Sequence, residues 1–266
     1  MSKKIGILDS GVGGLSVLKE VYLKSLAEEV YFLGDTSYFP YGIKPVDFIQ
    51  SRVSKIVRFF MDLGIEEIII ACNTASAVAY DYLVERYKDV KIYSIVLSAI
   101  EGMKNFNWRK VGVLATRRTL ESKVYPKLVH ERISEEVEVL VRSCSEGMLL
   151  ETIERGIVDG ELIEEELKKC TDPLIKEKIE GLILGCTHLP FVKQVISRLY
   201  PNMPIIDPSQ EIIKLVNTGK EKNVKVHIFV TGEPQEFQYI VKDLLKVEWN
   251  VENVDLDRSD VSVIKR

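Results

Sequence analysis

GIEEIIIACNTASAVAYDYLVERYKDVKIYSI, residues 64–95, decides the fold, because the chain carries a counterpart at 178–208, KIEGLILGCTHLPFVKQVISRLYPNMPIIDP. Ile65, Glu66, Ile68, Ile69, Ile70 and Cys72 align at one constant offset with Ile179, Glu180, Leu182, Ile183, Leu184 and Cys186. In each copy a short apolar run, of the kind shown by a parallel strand buried on both faces, ends at a cysteine. A threonine follows within two residues, before a helical pattern begins. A thiol therefore stands at the carboxyl end of a strand and near the start of a helix, twice.

That address has chemical meaning. Ligands of open α/β sheets bind outside the carboxyl ends of the strands, and a helix N-terminus with local donors draws a thiol pKa from about 8.5 toward neutrality. Two similar halves facing each other across a cleft would present the same thiol from both sides to one carbon. The opening strand is repeated too: Lys4-Ile5-Gly6-Ile7-Leu8-Asp9-Ser10 matches Lys110-Val111-Gly112-Val113-Leu114-Ala115-Thr116, keeping the hydroxyl but not the carboxylate. A recurrent α/β strand motif could match once by chance, but two matches in the same order favour duplication. The expected fold class is α/β, with two similar Rossmann-like parallel-sheet lobes related by pseudo-two-fold symmetry and an active site in the cleft between them. The segment after Pro208 is too short for a third domain, so residues 1–95 plus 208–266 are expected to form a discontinuous first lobe and 96–207 the second.

Bulk properties narrow the function classes. A composition of 46% hydrophobic and 29% charged residues is that of an ordinary globular chain. A net charge of −4, with no Lys/Arg-rich run, argues against nucleic acid. The N-terminal apolar run is too short for a signal peptide and no run approaches a membrane span, so the expectation is a cytoplasmic protein with no membrane partner. Cys72, Cys144, Cys170 and Cys186 lie far apart without a CxxC pair, against both zinc and a disulfide framework, and no metal is expected. Cys144 and Cys170, in the polar settings SCSEG and KKCTD, are given no role.

Strand Lys4–Leu8 opens through Asp9 and Ser10 into Gly11-Val12-Gly13-Gly14 and then a helical pattern from Leu15 to Leu23. Such a loop lets backbone approach a ligand closely. Its spacing is not G-x-G-x-x-G, yet Asp35, after the second strand, stands where a ribose-binding carboxylate would, so nucleotide binding is the alternative reading. Pro40-Tyr41-Gly42 marks a turn in an aromatic loop. Asn73 and Thr74 read both as helix caps and as donors to a bound carboxylate. His188, two residues from Cys186, reads as its proton partner or as a helix cap. Further helical patterns cover Arg117–Arg132 and the acidic stretches 146–156 and 161–169.

Four separated motifs, DSGVGGLSV (9–17), GDTSYFPYG (34–42), ACNTAS (71–76) and GCTHLP (185–190), resemble the signatures of the aspartate/glutamate racemase family. The full DSGVGG and PYG loops point to its glutamate branch. The resemblance, over nearly the whole chain, implies cofactor-independent interconversion of L- and D-glutamate for peptidoglycan by a cytoplasmic homodimer; racemisation of another amino acid such as aspartate is the nearer alternative. It assigns Cys72 and Cys186 as the acid/base pair, Asp9, Glu154 and His188 as their assistants, and Ser10, Tyr41, Gly42, Asn73, Thr74, Thr187 and Thr116 as substrate-binding residues. The chain departs from the family at Ser143–Met148, where a Cys-Pro run with aromatic residues is usual. Glu154 is preferred over Glu151 for the assisting carboxylate because it precedes a glycine at the expected distance from Cys186.

Overall fold

A computed structural model describes residues 3–216, 221 and 223–257; the expected first lobe's segments 1–2, 217–220, 222 and 258–266 lie outside the described residues. The chain begins β1 (Lys4–Asp9), α1 (Leu15–Leu23), β2 (Glu29–Gly34), α2 (Val46–Asp62), β3 (Glu67–Ile70), α3 (Asn73–Arg86) and β4 (Lys91–Ser94). Helix α4 (Ile95–Met103) leads to β5 (Lys110–Ala115), α5 (Arg117–Ser122), α6 (Val124–Arg132), β6 (Glu138–Ser143), α7 (Leu149–Glu154), α8 (Glu161–Lys176), β7 (Gly181–Gly185), α9 (Lys193–Leu199) and β8 (Ile205–Ile206). Helix α10 (Pro208–Leu215) returns to β9 (Lys225–Val230), α11 (Pro234–Leu245) and β10 (Val251–Asn253).

Every strand pairing is parallel. One sheet runs β10-β9-β2-β1-β3-β4 and the other β6-β5-β7-β8. Remove β9 and β10 and the two orders are the same, with each KxGxL strand at the centre beside its cysteine strand. The α/β two-lobe expectation holds, and the repeat seen in the sequence is a repeat of topology. Register carries it to the site: Leu8 pairs with Ile70 and Ala115 with Gly185, so each sheet stops level just before its cysteine. The strands are apolar on both faces because helices cover both, as the continuous Ile68–Ile70 and Leu182–Leu184 runs require.

The sheets share one apolar cluster, which joins Ile5, Ile7 and Ile69 to Val111, Val113 and Ile183 through α4 and α10. Ser94 caps α4 by accepting from Leu97 N–H, Asp207 caps α10 by accepting from Ser209 N–H, and Pro208 fills the first turn. The Ser98 hydroxyl lies 3.1 Å from the Pro208 carbonyl, within donating reach, where the two helices meet.

Local chemistry moves some boundaries. The continuous helix expected over 117–132 is two helices, α5 and α6. Pro126 has no N–H, and its ring would press on the carbonyl of residue 122, so the chain turns at Lys123 with φ +54°. Helix α8 runs on through Pro173 to Lys176. The acidic 146–156 stretch is helical only over α7.

Asp35 anchors the aromatic loop after β2. It is fully buried and accepts from the Tyr41 hydroxyl (2.5 Å), Arg52 Nε (2.9 Å) and Nη2 (2.8 Å), and the Thr231 hydroxyl (3.0 Å). Arg52 also lies over the Tyr38 ring, 4.1 Å from its centroid. This set pins Tyr41 and hence the backbone at Gly42. Replacing Asp35 by Ala leaves the buried Tyr41 hydroxyl without this acceptor and the buried Arg52 guanidinium with only the half-exposed Asp257, 3.3 Å away, as an ionic partner; it is expected to cost roughly 2–4 kcal/mol in urea unfolding. A loss below about 1 kcal/mol contradicts the anchoring role.

Candidate active site

At the carboxyl ends of the two sheets a small cavity is lined by Cys72 from one lobe and Cys186 from the other. Its wall also contains Ser10, Tyr41, Gly42, Asn73 and Thr74 from the first lobe and Thr116, Thr187 and His188 from the second. Asp9 and Glu154 stand behind this wall, each bonded to a residue that faces the cavity.

On the first side, Cys72 occupies the cap position of α3: its sulfur accepts from the Ala75 N–H at 3.5 Å, and the Ser10 hydroxyl lies 3.7 Å away. The cap is therefore the thiol and not Asn73 or Thr74, and α3 begins at Asn73. Both side chains are left for other work. The Thr74 hydroxyl meets that of Thr116 at 2.8 Å, and Asn73 Oδ1 accepts from the Tyr125 hydroxyl at 2.7 Å. The Tyr41 hydroxyl is spent on Asp35.

On the second side, Cys186 Sγ lies 3.6 Å from His188 Nδ1, and His188 Nε2 lies 2.6 Å from Glu154 Oε1. His188 makes no capping bond with its side chain. Glu151, the competing carboxylate, is exposed. Glu154 Oε1 also accepts from Val12 N–H at 2.9 Å, and the Thr187 hydroxyl donates to Asp9 Oδ2 at 3.2 Å, so the lobes interlock at the site.

These contacts explain the glycine loop. A Cβ on Gly11 would overlap the Glu154 carboxylate, and one on Gly13 would overlap the Thr187 hydroxyl. The glycines admit the opposite lobe's side chains. Asp35, which the nucleotide alternative needs for ribose, is buried and already holds four donor contacts. The two features behind that alternative thus both have structural partners inside the protein.

The Asp/Glu/hydantoin racemase family model matches residues 22–216. A glutamate racemase of Carboxydothermus hydrogenoformans is 37% identical, covering 98% of this chain and 97% of the relative, and one of Sulfurihydrogenibium is 34% identical over 95% and 97%. The chain belongs to the Asp/Glu/hydantoin racemase family. Among solved structures, glutamate racemase of Francisella tularensis in complex with D-glutamate superposes with a TM-score of 0.86 at 30% identity, covering 96% of this chain and 98% of that one. Aspartate racemase of Picrophilus torridus, at 18% identity and a TM-score of 0.56, shares the fold.

For a racemase-family site the charge pattern is uneven. Burial, then the nearby Asp9 charge, pushes the Cys72 thiol up to about 12, against the Ala75 and Ser10 donors. Cys186 is held well below the usual thiol range: the Cys144 thiol donates to it, and His188 adds to this against the cost of burial. Burial also opposes a positive His188, but its bonds to Cys186 and Glu154 win and hold it well above the ordinary imidazole value. The resting pair is thus a neutral Cys72 thiol facing a Cys186 thiolate beside an imidazolium. Asp9 is raised to about 7, chiefly by burial, although His188 and the Gly11 N–H pull the other way.

Cys144 corrects the sequence reading. Its neighbours in sequence are polar, but it follows directly on β6 and is buried with Cys186 in the second lobe's apolar cluster. Cys170 is also buried there, its thiol near the Glu166 and Leu167 carbonyls within its own helix. Phe39 was missed as well; its ring lies 5.7 Å from that of His188, in a loop whose aromatic content was the only signal.

Iodoacetamide at neutral pH is expected to label Cys186 at least about tenfold faster than Cys72, read by peptide mass spectrometry; equal rates contradict the asymmetry. A carboxyl raised by burial favours the folded state while protonated, and that advantage is lost as pH rises from the ordinary value of 3.8 through about 7. Asp9→Asn, which cannot ionise, should therefore gain melting temperature relative to the parent chain as pH rises from about 5 to about 8. A constant difference across that range contradicts a buried, raised Asp9.

Proposed function

We propose that the protein is a cofactor-independent glutamate racemase in which Cys72 and Cys186 act as the two acid/base groups. The observation that supports this most is the placement of two thiols, at equivalent addresses of two like lobes, on the wall of one cavity. Inversion at carbon requires the departing and arriving protons to use opposite faces, so a single base is insufficient for direct inversion.

In the direction for which the resting charges are set, the Cys186 thiolate takes the α-proton while the Cys72 thiol delivers its own from the other side. After turnover the proton inventory is exchanged. Cys72 is then a thiolate and Cys186 a thiol, so resetting the pair needs a proton delivered to Cys72, which protonated Asp9 beside it can supply, and one taken from Cys186 past His188 and Glu154. Ser10, Asn73, Thr74, Thr116, Thr187 and the Tyr41-Gly42 backbone surround the carboxylates and ammonium of the substrate. A carboxyl raised to about 7 suits Asp9 for proton traffic near neutral pH, where a general acid/base is most effective.

Glutamate is preferred to aspartate because the full-length relatives at 34–37% identity bear that name, whereas the aspartate racemase likeness rests on fold alone. The same reading carries the supply of D-glutamate to peptidoglycan, a cytoplasmic location and a homodimeric assembly. Among the described residues, no helix is long and apolar enough to cross a membrane.

Purified protein given L-glutamate without added cofactor should lose optical rotation to zero, with aspartate turned over far less well. Cys72→Ser and Cys186→Ser should each lower kcat by about 10²–10⁴, the range that general acid/base groups contribute. Unchanged racemisation in either variant contradicts the two-cysteine assignment.

A further inference from the structure

Asn73 sits on the cavity wall directly after Cys72, and its amide is used from one side only. Oδ1 accepts from the Tyr125 hydroxyl at 2.7 Å, while Nδ2 is buried and has no hydrogen-bond partner among the described residues. A buried donor without a partner is costly. Asn73 is 3% exposed, so the amide is enclosed at the cavity rather than washed by bulk water.

Tyr125 comes from the other lobe. It is fully buried in α6, and its ring packs where a Cβ on Gly185, the residue before Cys186, would lie 3.1 Å from Cε2. The turn at Lys123 that interrupts α5 and α6 sets its direction. Burial keeps the phenol protonated far above neutral pH, and the bond to Asn73 is the one its hydroxyl makes among the described residues. Its hydrogen therefore has one acceptor. An amide rotated by 180° would leave that hydrogen without an acceptor.

We propose that Tyr125 is a positioning residue that locks the Asn73 carboxamide with its oxygen away from the cavity, so that Asn73 presents only its N–H donors beside Cys72 and reads the carboxylate on the reacting carbon. The proposal rests on the racemase reading. As the α-proton leaves, negative charge spreads from the carbon onto the attached carboxylate oxygens. A fixed donor at that position gains strength as the charge develops. An amide free to rotate would spend part of its time offering oxygen to an anion.

The test is a double-mutant cycle on glutamate racemisation with Tyr125→Phe, Asn73→Ala and both together. Tyr125→Phe should lower kcat about tenfold or more, since removing one donor of this kind costs about 10²–10³ in kcat and a rotating amide loses it part of the time. In the Asn73→Ala background the same change should cost less than about twofold, because there is no amide left to orient. Effects that multiply would mean that Tyr125 merely supports the packing, and would overturn the proposal. Should Tyr125→Phe fail to fold, the parent protein decides by NMR of ¹⁵N-labelled asparagine. D-glutamate binding should shift the Asn73 side-chain amide protons downfield, and unshifted protons would overturn the proposal. Absence of racemisation by the parent chain would remove the racemase reading and this inference together, whereas normal turnover with multiplying effects removes only the role of Tyr125.

Discussion

In the racemisation we propose, two buried sulfur atoms face one carbon from opposite sides, and most of the architecture suits that constraint. Parallel sheets deliver side chains at their carboxyl ends, so a duplicated strand-to-helix junction brings Cys72 and Cys186 to equivalent positions without any special loop. The central strands β1 and β5 then place Asp9 beside one thiol and Thr116 beside the other lobe's Thr74. Apolar contacts of α4 and α10 hold the lobes together at one end, while the seam at the site is polar. It includes Val12 with Glu154, Asp9 with Thr187, Thr74 with Thr116, and Asn73 with Tyr125. Each such bond contributes only about 0.5–1.5 kcal/mol net against water. The seam can therefore exchange its partners for solvent at far smaller cost than the shared apolar cluster can be parted.

The lobes repeat in topology but not in charge. Asp9 has no equivalent at Ala115, and His188 has none at Thr74. Burial and then the Asp9 charge push the Cys72 thiol up, while the Cys144 thiol and then His188 draw Cys186 well below the usual range. A pair with one base and one acid is ready for turnover in one direction, and each event leaves it ready for the reverse. Duplicated binding surfaces with unequal proton partners are what a reversible inversion at carbon asks of its protein.

Much of this was legible in the sequence because it is local. Buried parallel strands show as apolar runs, and the two runs that end in cysteine gave the sheet pairing and the site address together. The rest depended on contacts distant in sequence. Tyr125 reads as a core tyrosine until the opposite lobe's Asn73 is placed 2.7 Å from its hydroxyl. Cys144 is given no role because Ser143, Ser145 and Glu146 make its setting polar, although it is buried directly after β6. Asp35 invites a ribose only while Arg52, Tyr41 and Thr231 are unknown. The helix break near Lys123 had a visible cause, since Pro126 cannot stand inside a regular helix without loss of a bond. The glycine loop was correctly read as a place of close approach, but what approaches is Glu154 and Thr187.

The central claim is that each proton uses its own sulfur. The most direct measurement starts from pure L-glutamate in deuterated water and follows, at low conversion, where deuterium enters. Two separate thiols predict D-glutamate that carries deuterium at the α-carbon from the first turnovers, while recovered L-glutamate retains its hydrogen. Deuterium entering the recovered L-glutamate as fast as D-glutamate forms would mean that one group removes and returns the proton on the same face, and would contradict the account.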